Sequence, residues 1–171
     1  DTYRVSGSAA YAFEGYDHYH DTGISGRDKI VALGDDVDIG LVTFDADSGI
    51  EVIDGTAASG VVRLLGSWTD DILDFSTTVL IGDNLMIDGG AGKDRITGSS
   101  ASDLIHGGNG SDILYGNQGS DTLYGDAGND FLGDDQCLAG GKDIMYGGAG
   151  SDRPGRGRRG SLRWRPKLRA G

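Results

Sequence analysis

Residues 89–133 read GGAGKDRIT GSSASDLIH GGNGSDILY GNQGSDTLY GDAGNDFLG, five nine-residue blocks without a gap from Gly89 to Gly133. Asp stands at the sixth place of every block, as Asp94, Asp103, Asp112, Asp121 and Asp130. A large aliphatic stands at the eighth, as Ile96, Ile105, Leu114, Leu123 and Leu132. The register slips through Gly133–Ala139 and recovers in GKDIMY and GGAGSD, which add Asp143 and Asp152. Repetition at a fixed short period is the mark of a stacked architecture, in which each unit buries its apolar face only against its neighbours.

The spacing dictates the local geometry. Places seven to nine alternate out–in–out as a very short strand, with the aliphatic side chain pointing inward. The first six places must then reverse the chain, and glycines supply the positive φ that so tight a turn needs. Two blocks make one coil with a strand on each side, and successive coils stack as parallel strands about 4.8 Å apart.

Stacking sets Asp94 opposite Asp112, Asp103 opposite Asp121, and Asp112 opposite Asp130. Rows of carboxylates at such separations are unfavourable unless a cation lies between them. Turn carbonyls face the same gaps, with Gly89, Ala91, Gly107 and Asn109 as the expected backbone donors. Oxygen-only ligation by flexible loops selects Ca²⁺ over zinc or copper, and Mg²⁺ gives up its waters too reluctantly to fit as well. The ligand series expected is Asp94, Asp103, Asp112, Asp121, Asp130, Asp143 and Asp152, holding several ions. Aspartate as a plain turn former explains any one of these residues, but not their strict phase.

These blocks resemble the Gly-Gly-x-Gly-x-Asp-x-aliphatic-x pattern of haemolysin-type RTX repeats, the signature of a calcium-binding parallel β-helix. The contiguous match covers residues 89–132, with looser copies to 152. The resemblance implies a right-handed parallel β-helix leading into a calcium-bound parallel β-roll. It also implies export from Gram-negative bacteria, commonly by type I secretion, with folding on Ca²⁺ outside the cell. The chain then reads as a calcium-binding module that supports the secretion and stability of a larger protein, with other domains of that parent as partners. The rival reading is the non-catalytic portion of a secreted polysaccharide lyase, epimerase or metalloprotease, or of an adhesin, whose active domain lies outside these residues.

Charge and composition agree with that reading. The whole chain carries −12 over 171 residues, but all 27 acidic residues lie at or before Asp152, against seven Lys or Arg there. A body so acidic repels itself and, equally, nucleic acid. With Cys137 as the only cysteine, no intrachain disulfide staples it, and bound metal is the usual substitute. No apolar run reaches membrane-spanning length. Residues 153–171 carry eight Lys or Arg, no acid and both prolines. They read as a basic tail outside the repeats, either a disordered arm or a frameshifted or cloning-derived stretch.

Residues 1–88 repeat the design more loosely and read as an irregular parallel β-helix-like segment preceding the roll at 89–152. GISGRDKIV (Gly23–Val31) and GSWTDDILD (Gly66–Asp74) fit the nonapeptide with Asp28 and Asp71 at place six. Neither has a partner at the 18-residue coil spacing, which leaves both open between calcium ligand and turn residue. Short runs rich in Val and Ile at Leu41–Phe44, Ile50–Ile53, Val61–Leu65, Val79–Ile81 and Leu85–Ile87 read as strands. GIEVIDG resembles GDNLMIDG, which assigns the second half of each to equivalent coil edges. A small β-sandwich is the structural alternative.

His18 and His20 flank a strand-like step in GYDHYHD, but no third ligand stands at a zinc spacing. No HExxH, GxSxG, P-loop or dinucleotide motif occurs, so no catalytic residues are assigned. The outward places hold Leu104, Ile113, Tyr115, Tyr124, Phe131 and Tyr146, which suits either an interface or cross-strand stacking.

Overall fold

Strands of three residues are too short to stand alone, so they persist only if each rung is paired above and below. The computed structural model, which describes residues 2–6, 27–41, 43–133, 141–155 and 162–165, builds such a stack. Every strand pairing in it is parallel.

Three sheets result. The first holds β1 (Thr2–Ser6), β2 (Lys29–Leu33), β5 (Val52–Asp54) and β8 (Val79–Ile81). The second holds β4 (Thr43–Phe44), β7 (Ile72–Asp74), β10 (Arg95–Thr97), β12 (Ile113–Tyr115), β14 (Phe131–Gly133) and β16 (Arg153–Pro154). The third holds β3 (Val37–Gly40), β6 (Val62–Leu65), β9 (Leu85–Asp88), β11 (Leu104–His106), β13 (Thr122–Tyr124), β15 (Asp143–Tyr146) and β17 (Leu162–Arg165). The all-parallel stacking rules out the sandwich, whose sheets are antiparallel.

The coil narrows along the chain. Arg63 sits over Asp38 at a separation of 25 residues, Asp94 over Asp71 at 23, and Asp112 over Asp94 at 18. The first sheet ends at β8, and from β9 onward each coil has two sides. The wide coils need larger filling, which Phe44 and Phe75 supply, stacked at 4.8 Å and fully buried. The narrow coils are filled by single aliphatics in register. Leu73, Ile96, Leu114 and Leu132 form one column, and Ile87, Ile105, Leu123 and Met145 the other. All eight are at most 1 % exposed, and each such burial contributes about 1.5–3 kcal/mol. The slip at 133–139 widens one coil to 22 residues without breaking either column.

Three expectations need correction. Val37–Gly40 is a strand that the apolar runs did not mark, because only Val37 and Ile39 turn inward. The GIEVIDG and GDNLMIDG segments do not share an edge: β5 lies in the first sheet and β9 in the third. The basic tail is not wholly outside the fold either, since Arg153–Pro154 and Leu162–Arg165 add a rung each to β14 and β15. The outer arginines of these rungs do not obstruct pairing, which is a backbone matter. His18, His20 and Cys137 lie outside the described residues.

The outward positions of the third sheet form a stack. The His106 ring lies 4.5 Å from Tyr124, Tyr124 lies 4.7 Å from Tyr146, and the Arg165 guanidinium lies 5.9 Å over Tyr146. On the second sheet Tyr115 meets Phe131 edge-on at 5.9 Å, with Arg95 over its face at 5.0 Å. Cross-strand stacking therefore accounts for these aromatics. Tyr124→Ala removes two stacked contacts and is expected to lower unfolding free energy by about 1–3 kcal/mol, without changing the number of calcium ions bound. Urea denaturation in calcium, with ion counting on the same sample, checks both statements.

Candidate metal ladder

Each six-residue turn ends in an aspartate whose side chain folds back under the turn. Asp71, Asp94, Asp112, Asp130 and Asp152 precede the strands of the second sheet and stack in one column. Asp103, Asp121 and Asp143 precede or open those of the third and make the other. From Asp71 to Asp143 all are buried.

One carboxylate oxygen of each has a fixed duty. Oδ1 of Asp112 accepts the Asp94 amide at 2.9 Å, Oδ1 of Asp130 accepts that of Asp112 at 3.0 Å, and Oδ1 of Asp152 that of Asp130 at 3.2 Å. In the other column Asp121 takes the Asp103 amide at 3.0 Å, and Asp143 the Asp121 amide at 3.1 Å. Neighbouring aspartates are thus joined carboxylate to amide. Asp71 enters the first column in the same way, its amide donating to Asp94 Oδ1 at 2.9 Å. A partner for Asp71 was missed because the coil there spans 23 residues and not 18.

For three members of the first column the second oxygen has no such duty. Oδ2 of Asp94, Asp112 and Asp130 is buried with no hydrogen-bond donor. Each borders a small cradle above the first glycine of its turn. The place a Cβ on Gly89 would take lies 2.7 Å from Asp94 Oδ2 and 2.6 Å from the Gly107 carbonyl oxygen. The corresponding place on Gly107 lies 2.7 Å from Asp112 Oδ2 and 3.0 Å from the Gly125 carbonyl oxygen. On Gly125 it lies 2.5 Å from the Gly147 carbonyl oxygen and 2.6 Å from Asp130 Oδ2. Only glycine leaves these spaces open.

Of the four backbone donors expected, Gly107 faces a cradle in this way. The Gly89 carbonyl occupies the equivalent place one coil lower, above Gly66. Ala91 and Asn109 pair as an isolated bridge, and the Asn109 carbonyl accepts the Gly92 amide at 2.8 Å. Asp28 is buried apart from both columns, beside the first sheet, where its amide donates to Glu51 Oε2 at 2.6 Å.

Burial pushes these carboxyls up, because an uncompensated charge is costly away from water. Asp94 rises to about 7, by burial first, against the Asp71 amide and with the like charge of Asp112 adding to it. Asp130 rises to about 6, again chiefly by burial. Asp103 also rises to about 6 through burial, opposed by its bonds to Ser99. Asp71 and Asp112 move in the same direction for the same first cause.

Among the described residues no three His, Cys, Asp or Glu side chains converge on one point. Any coordination sphere at the cradles therefore draws on turn carbonyls beside its carboxylates. Hard oxygen donors in a pliable turn are the donor set Ca²⁺ takes.

A two-sided parallel coil with one buried aspartate per turn defines a metal-binding repeat module. The family model of the RTX calcium-binding nonapeptide repeat (4 copies) matches residues 86–105, 97–132 and 139–154. The coils of those segments are RTX repeats, which bind several Ca²⁺ ions. No curated protein and no solved structure matches the chain.

Proposed function

We propose that residues 89–152 are a non-catalytic module that completes its fold on binding calcium outside the cell, while the wide coils of residues 29–81 need no ion. The single observation that carries this is the row of donorless buried oxygens on Asp94, Asp112 and Asp130. Leaving such an oxygen unsatisfied costs on the order of 1–3 kcal/mol, and more when it is charged. When bound, calcium supplies the positive charge that these oxygens lack. Asp94, Asp112, Asp121, Asp130, Asp143 and Asp152 are the carboxylates assigned to hold it, with the first-place carbonyls of Gly107, Gly125 and Gly147.

The rest follows from the chain's own residues. In a compartment poor in calcium, the acidic turns repel one another and the narrow coils bury too little to offset their ordering entropy. At extracellular calcium the same turns close, and binding energy becomes folding energy. Such a switch suits an exported protein, kept unfolded until it is outside. No helix among the described residues is long and apolar enough to cross a membrane. The module serves a larger secreted protein by stabilising it after export.

Hydrogen exchange on the full chain, in chelator, in calcium and in magnesium, tests the reading. Amides of residues 89–152 are expected to exchange freely in chelator and in magnesium but to be protected in calcium. Those of residues 29–81 are expected to be protected throughout. Equal protection of 89–152 in chelator and in calcium would overturn it.

A further inference from the structure

The turns are of two kinds, and the difference lies at places two and four. In the turns that begin at Gly89, Gly107, Gly116, Gly125 and Gly147, both places have positive φ. Place two is Gly90, Gly108, Asn117, Asp126 or Gly148, and place four is Gly92, Gly110, Gly119, Gly128 or Gly150. The turns that begin at Gly66 and Gly98 have Ser67 with Thr69 and Ser99 with Ala101, none of which has positive φ.

The change of backbone moves the serine under its own aspartate. The Ser99 amide donates to Asp103 Oδ2 at 2.7 Å, and its hydroxyl lies 3.0 Å from Oδ1 and 3.1 Å from Oδ2. The same hydroxyl accepts the Ala101 amide at 3.0 Å. The other turn repeats this arrangement. The Ser67 amide donates to Asp71 Oδ2, its hydroxyl lies 2.9 Å from that oxygen, and it accepts the Thr69 amide at 3.1 Å. The same space exists here, the Cβ place on Gly98 lying 2.7 Å from both Asp103 Oδ2 and the Gly116 carbonyl oxygen, but in these two turns the carboxylate oxygen that borders it is satisfied from within.

We propose that Ser67 and Ser99 close their turns to calcium, so that Asp71 and Asp103 are metal-free members of the two columns and each calcium series begins on the turn above. This rests on the calcium reading of the other turns. A serine amide and hydroxyl give the carboxylate the hydrogen bonds that an ion would replace, and they leave no donorless oxygen to recruit one. The position of the two turns adds a consequence. Each is the lowest turn of the repeat type described in its column, at 66–71 and 98–103, so each series is founded on a turn that needs no ion to satisfy its aspartate.

The test is to convert a closed turn. The double variant Ser99→Gly and Ala101→Gly restores glycine at both places, and in the full chain it is expected to bind about one more Ca²⁺ than the parent, counted by equilibrium dialysis or native mass spectrometry. Ser99→Ala alone keeps the amide and disfavours positive φ, so its count is expected to be unchanged. Asp103→Asn is expected to lose no ion, whereas Asp112→Asn loses at least one. The proposal is overturned if the folded double variant binds no more than the parent, or if Asp103→Asn removes an ion. If neither the parent nor any variant binds calcium, it is the calcium reading itself that fails.

Discussion

Replacing Asp112 by asparagine is expected to strengthen the ion-free chain while removing much of its calcium affinity, and replacing it by alanine to weaken both. The two oxygens of Asp112 explain the contrast. Oδ1 satisfies the buried amide of Asp94 in the coil below, and Oδ2 borders the cradle above Gly107 without a donor. Asparagine keeps the first oxygen and exchanges the second for an amide group, whose N–H donors face the cradle that the Gly125 carbonyl also borders. It also removes a charge that burial disfavours. Alanine strips both and leaves the Asp94 amide unsatisfied, which costs about 1–3 kcal/mol. Losing a charged ligand is expected to weaken calcium binding at least about tenfold, or about 1.4 kcal/mol. Folding in chelator driven by the osmolyte trimethylamine N-oxide should need least osmolyte for asparagine, more for the parent and most for alanine. Calorimetric titration should show both variants binding fewer or weaker ions. An Asp112→Asn chain that titrates like the parent would remove Asp112 from the ligand set.

The second large effect is a reversal of pH dependence on adding calcium. An aspartate has an ordinary value of about 3.9 in the unfolded chain, whereas burial holds Asp103 and Asp130 near 6 and Asp94 near 7 in the ion-free fold. The fold therefore prefers their protonated forms. Their stabilising effect is complete below about pH 4 and is lost as pH rises through 6 to 7. In chelator, the chain is expected to be more stable at pH 5 than at pH 8. In calcium the order inverts, since protons compete with the ion for the same oxygens. Relief of the net repulsion among 27 acidic residues acts in the same direction in chelator. Replacing both Asp94 and Asp130 with asparagine separates the two contributions, because it should flatten much of the rise. Melting curves across pH with and without calcium decide the matter, and a chelated chain that gains stability towards pH 8 would contradict it.

The roll was legible in the sequence because its period is its geometry. Nine residues per half-coil fix which side chain points inward, and Leu114 and Leu123 fall at 0 % exposure where place eight predicts. The wide coils were less legible. Their period drifts between 23 and 29 residues, and strands such as Val37–Gly40 carry only two inward residues. The partnership of Asp71 with Asp94 escaped for that reason, since its spacing belongs to the wide coils and its motif to the narrow ones. The closed turns left a plain signal, Ser99 and Ala101 where the neighbouring blocks carry Gly108 and Gly110. A pattern that scores only the aspartate and the aliphatic passes over it, because the discriminating property is the sign of φ.

The carboxylate-to-amide joints also give each column a sense of direction. Above the two lowest turns, Oδ1 of each aspartate reaches down to the coil beneath it, and none of these joints reaches up. A turn can therefore complete its lower neighbour but waits on the next aspartate for its own amide. Assembly along such a column is a ratchet, each coil locked from above by its successor. A fault at one turn spares the coils already locked below and stalls those that have yet to form.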